Sequence, residues 1–159
     1  MNQLYIKEVM GKGRGVFSKK DIKAGEIVEV SPVVIFKYTV ITDTSENKIW
    51  VDNERILVKT IVEKKEIPDE IDNIVFHWSD LTKNTKKESC IALGYGSLFN
   101  SANPSNMKYE ADEKNNSILF IAVVDIAKDT ELTINYSGIC GSHISDNNHW
   151  FNNKGIKFN

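Results

Sequence analysis

What this chain has little of narrows its function before any motif is considered. Two cysteines in 159 residues, Cys90 and Cys140, cannot build the disulfide framework of a small secreted domain, so free thiols are expected. No segment approaches the roughly 18 consecutive apolar residues that a membrane-spanning helix requires, and the densest run, Ile118 to Val124, has strand length. A membrane partner is therefore not expected. The first residues, Met1 to Glu8, hold neither a basic leader nor an apolar core, so no export signal is read and a cytoplasmic location is expected, nuclear or host-nuclear in a eukaryotic or viral setting. Positive charge is not in excess either: 20 Lys and Arg against 22 Asp and Glu leave a formal net charge of −2. Such a balance lacks the basic surface that displaces counterions from phosphates, and no direct nucleic-acid binding is expected.

What is there is the material of one folded domain. Hydrophobic residues make up 41% and charged residues 26% of a length close to the roughly 150 residues of one domain, which excludes both a disordered chain and a large multidomain enzyme. Runs rich in Val, Ile and Thr recur at Leu4 to Val9, Ile27 to Ser31, Val33 to Phe36, Ile118 to Val124 and Glu131 to Asn135, several beside turn signals such as Lys23-Ala24-Gly25-Glu26. Helical periodicity is thin. The best candidates are Ile49 to Lys64 and a short stretch at Ile71 to Trp78, with Pro68 and its acidic neighbours breaking the surface between them. His77 and Trp78 read as core, and Thr82 to Ser89 as an exposed loop. A mostly β domain with few short helices and an insert at about 42–72 is the expectation.

Three places hold residues suited to chemistry. Gly11-Lys12-Gly13-Arg14-Gly15-Val16-Phe17 is a glycine-dense turn, where positive φ and close approach of a ligand to the backbone are both available. It is not a phosphate loop, because no Lys-Ser/Thr pair and no helix follow. Gly94-Tyr95-Gly96-Ser97-Leu98-Phe99-Asn100-Ser101 leads into the polar run Ala102-Asn103-Pro104-Ser105-Asn106, a loop able to present amides to a polar ligand. Glu131-Leu132-Thr133-Ile134-Asn135-Tyr136 is a strand ending in a tyrosine and soon a glycine. Singly, these read as a plain hairpin, an Asn-rich turn and a packed aromatic.

In this order and within about 140 residues, the three motifs together resemble the SET domain family of S-adenosyl-L-methionine-dependent protein-lysine methyltransferases. The likeness runs from about Tyr5 to Trp150 and is nearest to the minimal bacterial and viral members. It implies a fold of several short curved sheets with a knot-like C-terminal segment, one domain over 1–159 with a tail at 137–159. It also implies residue roles. Lys12, Gly13, Arg14 and Gly15 fall on the loop that holds the methionine part of the cofactor, Asn100 on the asparagine at its amino-acid end, and Ser101 on the position whose main chain meets adenine. Tyr136 falls on the catalytic tyrosine, which also borders the cofactor. Ile74 and Phe99 fall on the substrate channel. Tyr95 either lies near the cofactor or packs in the core, and Trp150, in His149-Trp150-Phe151, either covers the cofactor or plugs the fold.

The chemistry suits these residue types. A lysine attacks only as the neutral amine, an apolar channel disfavours its ammonium form, and a hydroxyl at Tyr136 can orient the reacting groups. No metal is required, and Cys140, His143 and His149 fall short of a four-ligand zinc set. The chain departs from its relatives at Ser101, where they carry histidine, and at Ile74, where many carry tyrosine. Those departures support a rival reading, a SET-fold binding or regulatory protein with impaired catalysis. The implied partner is a lysine-bearing protein or peptide, to which the acidic Glu110, Asp112 and Glu113 are suited, and a homodimer is left open.

Overall fold

The computed structural model describes residues 3–37, 40–51, 54–65 and 74–146; Trp150, with the rest of 147–159, lies outside the described residues. Between Leu4 and Ile134 the described chain forms eleven strands: β1 Leu4–Val9, β2 Gly13–Ser18, β3 Ile27–Lys37, β4 Val40–Val51, β5 Glu54–Lys65, β6 Val75–Phe76, β7 Glu88–Ala92, β8 Asn100–Ser101, β9 Met107–Asp112, β10 Ser117–Ala122 and β11 Glu131–Ile134. One short helix, α1 Trp78–Thr82, and two 3₁₀ turns, Gly96–Leu98 and Ile139–Gly141, complete the described elements. The architecture is mostly β, as the composition of the runs implies.

Strands group into a sheet of order β1-β2-β11-β8, a sheet of order β6-β7-β3-β10-β9 and the separate hairpin β4-β5. In the five-stranded sheet, β3 is continuous through Pro32 instead of stopping there as two runs. The reason lies in its ladders: residues 27–32 pair with β10 on one side, whereas 33–37 pair with β7 on the other. Pro32 sits at the change of partner, where a missing backbone donor costs least. The inward positions Ser31, Cys90, Ala92, Ile118, Phe120 and Ala122 are nearly inaccessible to solvent, which the two-residue period of a half-buried strand requires. Phe120 is the centre of this core: Phe99 lies 4.8 Å from it between ring centroids, and Phe76 and Tyr109 each 6.0 Å.

Four local expectations are corrected. Ile49 to Lys64 is not helical: it spans the end of β4 and most of β5, which pair antiparallel from Val40↔Lys65 to Val51↔Glu54. Its Val, Ile and Thr content favours the extended chain, where β-branched side chains keep their preferred rotamers. Of the segment 42–72, residues 52–53 and 66–72 lie outside the described residues, as does Asn73 after it. Helix near Ile71 to Trp78 is displaced: Val75 and Phe76 pair with Ile91 and Cys90 as β6, and α1 begins only at Trp78. It ends at once, with Lys83 in the left-handed region at φ 55°. Trp78 is buried but His77 is exposed, because His77 stands extended at the junction between strand and helix. Within the expected loop Thr82 to Ser89, Glu88 and Ser89 belong to β7.

Gly96 is where the loop before Asn100 touches the core. A Cβ there would lie 2.6 Å from both Ala92 Cβ and Ser31 Oγ and 3.0 Å from the Phe120 ring. Gly96→Ala is expected to cost about 1–3 kcal/mol by overpacking, read as a lower urea midpoint at unchanged slope.

Candidate functional site

The site is built where β2, β8 and β11 meet. The chain leaves β1 at Val9 and turns so that Lys12 N donates to the Val9 carbonyl at 3.1 Å, with Gly11 and Gly13 both at φ 75°. Only glycine adopts that conformation without strain, and among the described residues nothing lies within 4 Å of where their Cβ atoms would be. The turn thus offers bare backbone to open space. Lys12 reaches back from it, its Nζ 3.5 Å from the Ser101 carbonyl oxygen. Arg14 is exposed and faces Glu8 across the β1-β2 ladder.

Gly15 is the point of closest approach. A Cβ on it would stand 2.7 Å from Glu131 Oε1, 2.7 Å from Val9 Cγ2 and 3.1 Å from Asn100 Nδ2. One absent methyl therefore lets the glycine turn, the asparagine loop and the tyrosine strand come together. Asn100 and Ser101 pair parallel with Thr133 and Ile134. Beside that ladder, Asn100 Nδ2 donates to Glu131 Oε1 at 2.7 Å.

The loop after Ser101 is anchored by side chains that imitate strand pairing. Asn106 Nδ2 donates to the Glu131 carbonyl at 2.8 Å, and Asn106 Oδ1 accepts from Thr133 N at 2.8 Å. The C-terminal segment is stitched to the same loop: Ser105 N donates to the His143 carbonyl at 2.9 Å, and Asn103 Nδ2 to the Ser145 carbonyl at 2.9 Å. Asn135, almost wholly buried, donates to Ser145 Oγ at 3.1 Å. Gly141, at φ 80°, lies against the Tyr109 backbone, where a Cβ would be 1.9 Å from the Tyr109 carbonyl oxygen.

Tyr136 emerges from β11 directly over this junction. Its backbone N donates to Ser101 Oγ at 3.2 Å, and its hydroxyl donates to the Phe99 carbonyl at 2.7 Å. Burial, reinforced by the negative charge of Glu131, pushes the Tyr136 phenol up to about 12. The Tyr109 phenol is also pushed up to about 12, by burial first and by Tyr136 second. Both hydroxyls are neutral donors at neutral pH.

Of the residues picked out from the sequence, Lys12, Gly15, Phe99, Asn100, Ser101 and Tyr136 are thus joined directly, Phe99 through its carbonyl while its ring is buried against Phe120. Gly13 belongs to the open turn. Ile74 is drawn to the same loop, because Ser97 Oγ donates to its carbonyl at 3.1 Å. The side chain of Tyr95 packs against the core, and its backbone N donates to Glu29 Oε1 at 3.4 Å. Burial raises the Glu29 carboxyl above its ordinary value. The expected thiols are free: Cys140 is exposed, and Cys90 is buried with its thiol pushed up to about 12 by burial. Sequence reasoning assigned no role to Glu131, Asn106 or Tyr109. A signal existed for the first two, since each is polar within a quoted motif, but nothing in the sequence links Asn106 to residues 131–133.

A curled, mostly β chain whose glycine turn, asparagine loop and terminal tyrosine meet at one junction defines the class of protein. The SET domain family model matches residues 13–137, and the chain belongs to that family. It is 26% identical over 148 residues to the histone-lysine N-methyltransferase, H3 lysine-37 specific, of Schizosaccharomyces pombe, covering 93% of this chain and 76% of that protein. Two crystal structures share its fold. A Plasmodium falciparum protein named as a histone methyltransferase aligns over 86% of this chain and 95% of its own, with TM-score 0.55 and 24% identity. CpSET8 from Cryptosporidium aligns over 86% of this chain and 58% of its own, with TM-score 0.50 and 19% identity.

Two outcomes follow from this geometry. Asn106→Ala removes the clamp on β11 and leaves the Thr133 amide without its acceptor, so a loss of about 1–3 kcal/mol is expected in urea unfolding. The second concerns alkaline pH. Because the Tyr109 and Tyr136 phenols are raised from 10.0 to about 12 in the folded chain, their contribution to stability is complete below pH 10 and is lost as pH rises through about 12. Urea unfolding across that window, with tyrosinate absorbance followed in parallel, checks it; Tyr136→Phe should show a shallower alkaline decline.

Proposed function

We propose that this chain is a protein-lysine N-methyltransferase that uses S-adenosyl-L-methionine as methyl donor and a lysine-bearing protein as substrate. The observation that carries the proposal is the meeting of the Gly15 turn, Asn100 and Tyr136 at one junction, in a chain of the SET domain family. Support for lysine as the acceptor comes from the lysine methylation named for the fission-yeast relative.

The residues fit such a cofactor. The open backbone at Gly11 and Gly13 leaves room beside the turn, Asn100 offers a carboxamide, and the Lys12 ammonium over the Ser101 carbonyl can meet a carboxylate. When bound, the cofactor supplies a methyl group already activated on a sulfonium. The protein's task is then to bind, align and exclude water. Lys12, Gly13, Gly15, Asn100 and Ser101 are assigned to the cofactor, with Ser101 acting through its main chain.

Tyr136 is assigned the catalytic role. Its hydroxyl is held by the Phe99 carbonyl, so the phenol oxygen keeps its lone pairs for an approaching amine or methyl group. That arrangement costs little reorganisation at the moment of reaction. Phe99, through its carbonyl, and Ile74, through its apolar side chain, are assigned to the substrate side, where apolar surroundings disfavour a charged lysine. A free lysine, with a pKa of about 10.4, is almost wholly protonated at neutral pH, so lowering that value is part of the catalysis. Ser101, in place of the relatives' histidine, has a structural use here, since its hydroxyl accepts from Tyr136 N.

Transfer of labelled methyl into proteins of a cell lysate, with mass spectrometry of the modified residue, tests the assignment. Labelled lysine is expected, and Tyr136→Phe should reduce transfer roughly a hundredfold while cofactor affinity changes little. Cofactor binding without any transfer would favour the regulatory reading. Unchanged turnover in Tyr136→Phe would show that the catalytic tyrosine lies elsewhere.

A further inference from the structure

We propose that Glu131 is a positioning residue that sets which way the Asn100 carboxamide faces, and so makes the site select a cationic amine. The inference rests on the reading of this site as a cofactor site. A carboxylate can only accept hydrogen bonds, whereas a primary carboxamide has a donating end and an accepting end of nearly equal size. Glu131 Oε1, 2.7 Å from Asn100, therefore takes the nitrogen end, and Asn100 Oδ1 must face the other way. Among the described residues Oδ1 receives no hydrogen bond and is not fully buried, so it keeps an accepting position for a ligand.

The arrangement is also sterically specified. Gly15 has no side chain where a Cβ would meet both members of the pair, Glu131 Oε1 at 2.7 Å and Asn100 Nδ2 at 3.1 Å. The parallel pairing of Asn100 with Thr133 brings the two side chains into reach of each other. An open carbonyl-type oxygen backed by a carboxylate is an acceptor with negative charge behind it. It favours an ammonium, such as the α-amino group of an amino-acid moiety, over a neutral or anionic group. Lys12, on the same turn, supplies the opposite charge for a carboxylate. Together they read a zwitterion.

The test compares two thioethers that share adenosine and differ in the amino-acid end: S-adenosylhomocysteine, which carries the ammonium, and 5′-methylthioadenosine, which does not. Calorimetry is expected to show that the unaltered protein binds the first more tightly. In Glu131→Gln the carboxamide loses its fixed sense, because glutamine can donate to Oδ1 as readily as accept from Nδ2. S-adenosylhomocysteine should then weaken about tenfold, and 5′-methylthioadenosine should hold its affinity. The double variant Asn100→Asp with Glu131→Gln restores a single-sense bond, with the glutamine donating and the aspartate keeping an acceptor toward the site. It should recover S-adenosylhomocysteine binding, a rescue that a merely structural role would not give. Equal weakening of both ligands, no weakening of either, or no recovery in the double variant overturns the assignment. An unaltered protein that binds neither ligand overturns the cofactor reading, and this assignment with it; one that binds both equally overturns the assignment alone.

Discussion

The parallel pairing of Asn100 and Ser101 with Thr133 and Ile134 is the constraint on which the site depends. Parallel neighbours need a long crossover, and here β9, β10 and the turn after them lie between the two partners. Two residues of ladder are a weak attachment, so the pairing is reinforced from the side. Asn106 bonds to the backbone at residues 131 and 133, and Ser101 Oγ receives the Tyr136 amide. These contacts convert a short ladder into a rigid corner. Tyr136, whose hydroxyl must face the Phe99 carbonyl, takes its direction from that corner.

Among the glycines that permit close approach, three do so for different reasons. Gly15 leaves space for a polar pair, Gly96 lets a loop lie on the Phe120 core, and Gly141 lets the C-terminal segment pass against the Tyr109 backbone. In each case a methyl group would separate elements that the site requires in contact. The electrostatics are equally spare. The Tyr109 phenol is raised in part by Tyr136, and the Glu131 charge is one of the causes that keep the Tyr136 phenol protonated. Glu131 thereby touches Asn100 by a hydrogen bond and Tyr136 by its charge.

The three motifs that meet at the junction were more legible in the sequence than the scaffold around them. Gly15, Asn100 and Tyr136 lie in short motifs whose residue types have few uses, and the geometry joins them. The segment Ile49 to Lys64 was not legible, because Ile49, Ile56, Val58, Ile61 and Val62 match neither a strict helical period nor strict alternation. β-Branched content was the better guide there. β9, Met107–Asp112, was overlooked because Lys108, Glu110 and Asp112 make it look like a solvated loop; its Met107 and Tyr109 are buried while Glu110 is exposed, the pattern of a strand with one face in the core. His77 stands between buried Phe76 and Trp78 in sequence, yet its extended backbone sends its side chain to the face opposite Phe76.

Some properties follow from composition and local chemistry alone. The mostly β character, the motif residues and their order are of this kind, because strand propensity, glycine's conformational range and side-chain chemistry act over a few residues. Others existed only after folding: the partner of Asn100, the clamp by Asn106, the shift of two phenols, and the change of ladder at Pro32. Each depends on residues far apart in the chain, such as Asn100 and Glu131 or Asn103 and Ser145. Hydrogen bonding, desolvation and steric contact act through space, over a few ångströms, and only the packed chain decides which distant groups come that close.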